Sequence, residues 1–469
     1  MSPFMPPPIA LPLSVYCGER RCRRRVLGRE AVGAFRVAGA LFCCSLPSTG
    51  SPADRGECCE RFGTRKRLLV IVRFILTSLL VAVIFLTANS PAQELEMQGN
   101  DFGPRAVAID HLRNLEYTEA KQQLRQWVEG HPTDLLAWNY LATATLYQEM
   151  FQRGVLESRV YGQGGEAFKP SKVAVTPEFQ KELLAVLDKA QGLAEEKLKA
   201  DRSDKDALYW AGVSHGTRAT YHFVLRKEYM PALHEATEAY RCHSQLLNLD
   251  PKYVDAYLIV GMNNYIVGSL PWYIKVLAAL TGRHGDRAEG LQQVKRVTEG
   301  GHYAREDAKL MLAVLYEREK MYAQALTLYR EMGRSYPRNY LLQYEAAALC
   351  GLLNDWRTSA SGYESIVAKH RGGESGYKDI PLAKVLYRAG QAHEHLQEWD
   401  DALARYTEAG SLPGSDRHIY LCNLAAADLQ TRLNHPDQAR LLYQRVADAV
   451  PDSDEGGLAR RALKKLNAN

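Results

Sequence analysis

Met321-Tyr322-Ala323-Gln324-Ala325-Leu326-Thr327-Leu328-Tyr329-Arg330 decides the fold. Ala325 and Tyr329 lie four residues apart, on one face of a helix that Tyr322 opens. A small residue where two helices cross lets them approach, and a large one four residues on fills the groove beyond. Before it, Leu312, Ala313 and Tyr316 share one face of another helix, and after it Pro337 closes the unit. The stretch therefore reads as half of a helix pair that begins near Glu306.

Working outward, the punctuation returns in phase. Ala120, Leu124 and Pro132 close an earlier unit, and Trp138 with Leu141 open the next. Ala239 and Leu249-Asp250-Pro251 end another. Ala402, Tyr406 and Ala409 repeat the spacing inside Trp399-Asp400-Asp401-Ala402-Leu403-Ala404-Arg405-Tyr406. Ala439, Tyr443 and Pro451 end the last full unit, and Gly456 to Leu466 reads as a capping helix. Residues 340–370 form a weaker copy, with Tyr363 in register and Ser359 at the small position. Units of this size cannot bury their apolar faces alone and must stack. The expected fold is all-α, an α-solenoid of stacked antiparallel helix pairs.

The quoted decapeptide resembles the second helix of a tetratricopeptide repeat, and the wider likeness covers most of 101–469. Within it, Gly261, Tyr265, Ser269-Leu270-Pro271, Gly285-Asp286-Arg287 and Gly290-Leu291 make the segment 257–291 similar to one subfamily. That subfamily is the mitochondrial outer-membrane and inclusion-clearance repeat proteins and their bacterial look-alikes. The family resemblance implies a concave groove lined by the first helices, at positions 2, 5, 9, 12 and 13 of each unit. Carried onto this chain, the partner-binding positions are Asp255, Leu258, Met262, Tyr265 and Ile266 in the unit at 254. They are Asp307, Leu310, Val314, Glu317 and Arg318 in the unit at 306, and Lys384, Tyr387, Gln391, Glu394 and His395 in the unit at 383. The mixture is apolar and polar, which suits a helix or an extended segment of a protein partner rather than a uniformly basic clamp on a terminal carboxylate.

Two insertions interrupt the period of about 34 residues expected for this class. Residues 151–177 read as a loop rich in Gly162, Gly164, Gly165 and Pro170. Residues 268–286 begin with an apolar run through Trp272, Tyr273, Ile274, Val276 and Leu277 to Leu280. Asp286 is the expected N-cap of the helix that follows, and Gly300-Gly301 its stop.

The leading segment has a different composition. The net charge is +5, yet residues 1–67 hold 12 Lys/Arg against 5 acids, and 93–469 carry a net charge of −3. The basic excess lies outside the expected fold, so a nucleic-acid footprint is not expected. Arg65-Lys66-Arg67 precede an apolar stretch over 68–86, whose uncharged core Phe74–Leu86 is 13 residues long. A signal-peptide h-region runs to ~7–15 residues and a transmembrane span to ~20. With Ser90-Pro91-Ala92 before Gln93, residues 68–92 read as an export signal, or alternatively as a signal-anchor through 68–86. Residues 1–67 read as an unstructured leader, with translation starting within or beyond it. Either arrangement places the repeat domain 93–469 in the periplasm or cell envelope.

No catalytic constellation is expected. Gly212-Val213-Ser214-His215-Gly216 matches the nucleophile-elbow pattern, but that motif needs a strand, a sharp turn and a helix. Here it falls inside an expected first helix, with Gly212 at the small position. A hydrolase using Ser214 is the least favoured of the functions considered. The histidines form no metal-binding spacing, and no cofactor is expected. Six of nine cysteines precede residue 68, and Cys242, Cys350 and Cys422 are expected as buried, free thiols. The function these readings imply is a non-enzymatic protein–protein interaction scaffold. The alternative is a peripheral membrane-associated assembly factor acting through Leu270–Leu280.

Overall fold

The computed structural model describes residues 102–157, 175–269 and 285–467. The interiors of both expected insertions, residues 158–174 and 270–284, and the whole of 1–101 lie outside the described residues. All described residues fall in one compact unit. Among them the regular structure is helical throughout, with no strand.

Eight antiparallel pairs and a cap follow one another in chain order. They are α1 (Ala106–Arg113) and α2 (Tyr117–Gly130), α3 (Leu135–Gln152) and α4 (Pro177–Ala200), α5 (Lys205–Thr220) and α6 (Tyr229–Leu249), and α7 (Tyr257–Gly268) and α8 (Arg287–Gly300). Then come α9 (Arg305–Arg318) and α10 (Tyr322–Ser335), α11 (Tyr340–Leu352) and α12 (Trp356–Arg371), α13 (Leu382–His395) and α14 (Trp399–Gly410), α15 (Arg417–Arg432) and α16 (Pro436–Ala449), and the cap α17 (Asp454–Leu466). Each helix packs against its neighbours in sequence, as a solenoid requires.

The small-then-large spacing is the core. Ala120 and Leu124, Ala325 and Tyr329, Ser359 and Tyr363, Ala402 and Tyr406, and Ala439 and Tyr443 are all buried. In the fourth pair both crossing residues are glycine. A methyl group on Gly290 would come within 2.4 Å of the Tyr265 backbone nitrogen, and one on Gly261 within 2.9 Å of the Gly290 carbonyl oxygen. Asp286 caps α8 by accepting the Glu289 amide at 2.8 Å. Asp134, Asp204, Asp355 and Ser453 cap α3, α5, α12 and α17 in the same way.

The turn between the two helices of a pair has one recurrent form. Leu115, Lys227, Lys320, Asn354, Gln397 and Asn434 occupy it with φ between 55° and 64°. After five of them the next amide donates to a carbonyl five residues back, as Met321 does to Tyr316 at 2.8 Å, Glu398 to His393 at 3.0 Å and His435 to Gln430 at 2.9 Å, whereas after Lys227 the Glu228 amide reaches six back, to His222 at 3.0 Å. The five-residue return is the Schellman arrangement, which satisfies carbonyls that the ending helix leaves free.

The stack also closes on itself. Arg338, at the corner between α10 and α11, donates to Glu116 Oε1 at 2.8 Å and Asp110 Oδ2 at 2.6 Å, and its backbone amide donates to Asn114 Oδ1 at 3.1 Å. Asn339 Nδ2 reaches the Arg113 carbonyl at 2.7 Å, and Arg113 donates to the Tyr336 hydroxyl at 3.0 Å. Ser375 adds a bond to Glu116 at 3.1 Å. Next to it, Gly376 adopts φ +79°, and a side chain there would strike the Arg338 carbonyl. The second pair joins through the Phe151 and Tyr340 rings, 6.1 Å apart, and the buried Lys384–Glu157 ion pair. The first two pairs are thus fastened to the sixth and seventh.

Burial pushes the Glu116 carboxyl upward, but the bonds from Arg338 and His111 outweigh it and hold the group below its usual range. A carboxyl with a depressed native pKa contributes stability that is complete above its unfolded value of ~4.3 and is lost as pH falls through the native one. Arg338→Gln should therefore speed hydrogen exchange across 106–116 at neutral pH, while the wild type shows the same release only in acid. Unchanged exchange in the variant would show that the latch contributes nothing.

His243, on α6, is buried 5.3 Å from the Tyr209 ring. Burial pushes its imidazole down to about 3. The native state excludes a proton that the unfolded chain takes up below ~6.5, so each pH unit of acidification below that point should cost up to about 1.4 kcal/mol, until the native value is reached. Melting His243→Phe beside the wild type from pH 7 to 4 should give a shallower decline in the variant. Parallel declines would refute the assignment.

Candidate functional site

The candidate site is the row of first helices, α7, α9, α13 and α15. Around α7, Asp255 is buried just ahead of the helix, its carboxylate accepting the His302 and Ala304 amides, each at 2.8 Å. Burial raises its pKa, and those amides oppose the rise. Leu258 and Met262 pack against the cluster of Val294, Ala308 and Leu312. Tyr265 is buried, and its hydroxyl donates to Glu319 at 2.6 Å. Ile266 is 51% exposed.

On α9, Asp307 faces the charge of Arg113, while burial pushes its carboxyl up. Leu310 packs against the cluster of Ala325, Tyr329 and Leu342. Val314 is half-buried. Glu317 accepts the Tyr329 hydroxyl at 2.9 Å, and the Arg318 guanidinium lies 5.5 Å from the Tyr265 ring centre.

On α13, Lys384 is buried in its ion pair with Glu157 and lies 5.7 Å from the Tyr344 ring. Tyr387 leans on Tyr406 and His418, with ring centres 6.0 and 6.2 Å away. Gln391 accepts from Arg388 at 2.9 Å. Glu394 accepts the Tyr406 hydroxyl at 2.5 Å and also pairs with Arg432. His395 is exposed, its ring stacked 3.6 Å from Trp356. The sets on α7 and α9 meet where Asp307 feels the charges of both Asp255 and Arg113. The set on α13 runs on toward α15.

A common device ties these helices together. Tyr329 to Glu317, Tyr406 to Glu394 and Tyr443 to Asp428 each join the second helix of a pair to an acid near the end of the first. Burial raises the pKa of Tyr406, and its bond to Glu394 adds to the effect. Glu317 and Glu394 therefore serve the pair that carries them.

Sequence reasoning did not find the aromatic wall at the closure. Phe102, Tyr140, Tyr209, Trp210 and Tyr303 form a chain of ring contacts, with centres between 4.8 and 6.2 Å apart. Its members come from four different helices or turns, so no local spacing reveals it.

Ser214 is buried in the body of α5, its hydroxyl donating to the Ala211 carbonyl at 2.9 Å. No strand or elbow surrounds it. His215 and His222 each meet a carboxylate, Glu235 at 2.6 Å and Glu228 at 2.9 Å. Among the described residues one group, His393, Glu398 and Asp401, brings three metal-binding donors within 4.8 Å of one another. Both ring nitrogens of His393 already face carboxylates, Glu398 at 2.7 Å and Glu364 at 3.3 Å. Cys242, Cys350 and Cys422 are free and buried, and burial raises each thiol. No described helix is long and apolar enough to cross a membrane.

The family model described as "Tetratricopeptide repeat" matches residues 307–339, the unit quoted at the outset. No curated protein matches the chain significantly. Among solved structures, yeast Tom70 is similar at 14% identity over 76% of this chain and 87% of its own, with a TM-score of 0.34. PilF of Pseudomonas aeruginosa is similar at 12% identity over 57% and 98%, with a TM-score of 0.33. The human IFIT1 dimer with m7Gppp-AAAA is similar at 14% identity over 80% and 85%, with a TM-score of 0.36. With one unit matched by the family model and the same helix pair recurring through the described residues, the chain is a tetratricopeptide-repeat protein.

Proposed function

We propose that this chain is a non-enzymatic scaffold of the bacterial cell envelope. It takes a helix or extended segment of a partner protein along the first helices of its last two pairs, α13 and α15. The observation that supports this is the uneven access along the groove. Asp255 is spent on its own backbone, Asp307 faces Arg113, and Lys384 is covered by Glu157. Further along α13, Arg388 and Gln391 keep partial solvent access, and His395 is exposed. His418 and Arg432 of α15 continue that side with polar donors. A groove of this mixed character suits a peptide held by side-chain hydrogen bonds and a few apolar contacts. Export rests on the apolar core Phe74–Leu86 and the small residues Ser90-Pro91-Ala92.

A second reading, peripheral contact with a lipid surface, is favoured by one edge of the stack. Tyr229, Met230 and Leu233 at the start of α6 are exposed, as is Ile266 near the end of α7. Because successive helices alternate in direction, these two ends share an edge. The apolar run Leu270–Leu280 follows directly in sequence.

The two readings separate by experiment. Affinity capture with the full chain from a native envelope fraction should retain a partner that a Gln391→Ala/His418→Ala variant loses and a Leu441→Ala control keeps. Capture identical for all three would sink the groove assignment. Flotation of the full chain with anionic liposomes, weakened by Met230→Ser/Leu233→Ser but not by the groove variant, would establish the lipid reading instead.

A further inference from the structure

On the second-helix side of the stack a cleft of about 280 Å³ opens between α10 and α12, with α11 as its floor. Arg330 and Arg334 of α10 and Lys369 of α12 line it, together with Gln343, Cys350 and Tyr377, and no described Asp or Glu does. Arg330 has one polar contact, a weak one to Cys350 Sγ at 3.5 Å. Lys369 reaches two neutral oxygens, the Tyr377 hydroxyl at 3.1 Å and Gln343 Oε1 at 3.4 Å, and its ammonium lies 4.6 Å from the Tyr377 ring centre, with no carboxylate bonded to it.

Cations nearby are paired. Lys309 meets Glu306 and Glu331, Arg338 meets Asp110 and Glu116, and Arg371 meets Glu408. Of the acids close to the cleft, Glu331 pairs with Lys309 and Glu364 with Arg405, while Asp355 accepts the Thr358 amide and feels the charge of Arg330 from outside the lining. Three positive charges facing one small cleft repel one another. An anion placed among them converts that repulsion into charge-assisted hydrogen bonds.

We propose that this cleft binds an acidic segment of a protein partner, one with carboxylates at alternate positions. Residues four apart on a helix stand ~5–6 Å apart, which is the setting of Arg330 and Arg334. Alternate side chains of an extended strand lie ~6.5 Å apart on one face, so two such carboxylates match the two guanidinium groups, and Lys369 closes the opposite wall. A phosphate group would also meet such cations, most firmly where a helix start adds free backbone amides. Here the start of α12 is already capped by Asp355. The cleft lies across the stack from the α13–α15 groove, and the proposal does not depend on that groove.

The test is fluorescence anisotropy of a dye-labelled Glu-Ser-Glu-Ser-Glu peptide titrated with the full chain. A Gln-Ser-Gln-Ser-Gln peptide serves as control, and inorganic phosphate as competitor. The acidic peptide should bind and the neutral one should not. Arg330→Gln/Arg334→Gln should weaken binding about tenfold or more, with an unchanged melting temperature, and Gln391→Ala/His418→Ala should leave it intact. Lys369→Gln provides an independent loss should the double variant fold poorly. Equal binding of both peptides, or retention of full affinity by the cleft variants, would overturn the proposal. So would displacement by phosphate at concentrations similar to the peptide's own, which would make the cleft a small-anion site.

Discussion

Everything in this protein depends on how closely two helices approach at each crossing. Helix axes separated by only 8–10 Å leave no room for large side chains at the contact point. The chain answers with Ala120, Ala325, Ser359, Ala402 and Ala439, and with Gly290 against Gly261, where a methyl group on either would strike the facing backbone. The residue four positions on then fills the wedge. Where it is tyrosine, burial of the ring brings a hydroxyl into an apolar setting, and an unpaired buried hydroxyl is costly. Glu317, Glu394 and Asp428 accept those hydroxyls from the facing helix. The crossing thus dictates the large residue, and the large residue dictates an acid on the partner helix.

That chain of consequences bears on function. Family positions 12 and 13 identify where ligands lie along first helices, but they do not say what else those side chains already hold. Glu317 and Glu394 stand at such positions, and each is half of a bond internal to its own pair. Lys384 and Asp307 stand at others, and the closure of the stack has turned both toward the first two pairs. The row of first-helix positions that the resemblance implies is therefore longer than the stretch whose side chains keep access to solvent.

Much of the architecture was legible in the residues themselves. The spacing of Ala402 and Tyr406, the cap Asp286 and the stop at Gly300-Gly301 are local signals, and the structure contains each as expected. The within-pair turns were not legible. A left-handed residue after a helix ordinarily signals itself as glycine, whereas here leucine, lysine, glutamine and asparagine take that conformation. What enforces it is the bond from the next amide back into the helix, which leaves no mark on composition. The closure was hidden for another reason. Arg338 and Glu116 are separated by 222 positions, and no periodicity links residues so distant.

Closure also changes the physics of the stack. An open array is held by nearest-neighbour contacts, so its ends fray and its curvature flexes with little resistance. Fastening the first two pairs to the sixth and seventh through Arg338, Asn339 and Lys384 converts pairs one to seven into a loop of contacts. Within it, flexing one crossing must strain others. The pair α15/α16 and the cap α17 continue beyond it, held through α14 and the contact of α13 with α15. The same sequence thus yields a stiff body and a freer end. The α13–α15 side spans the boundary between the two: α13 is anchored in the closure through Lys384, while α15 is held by α13, α14, α16 and the cap α17.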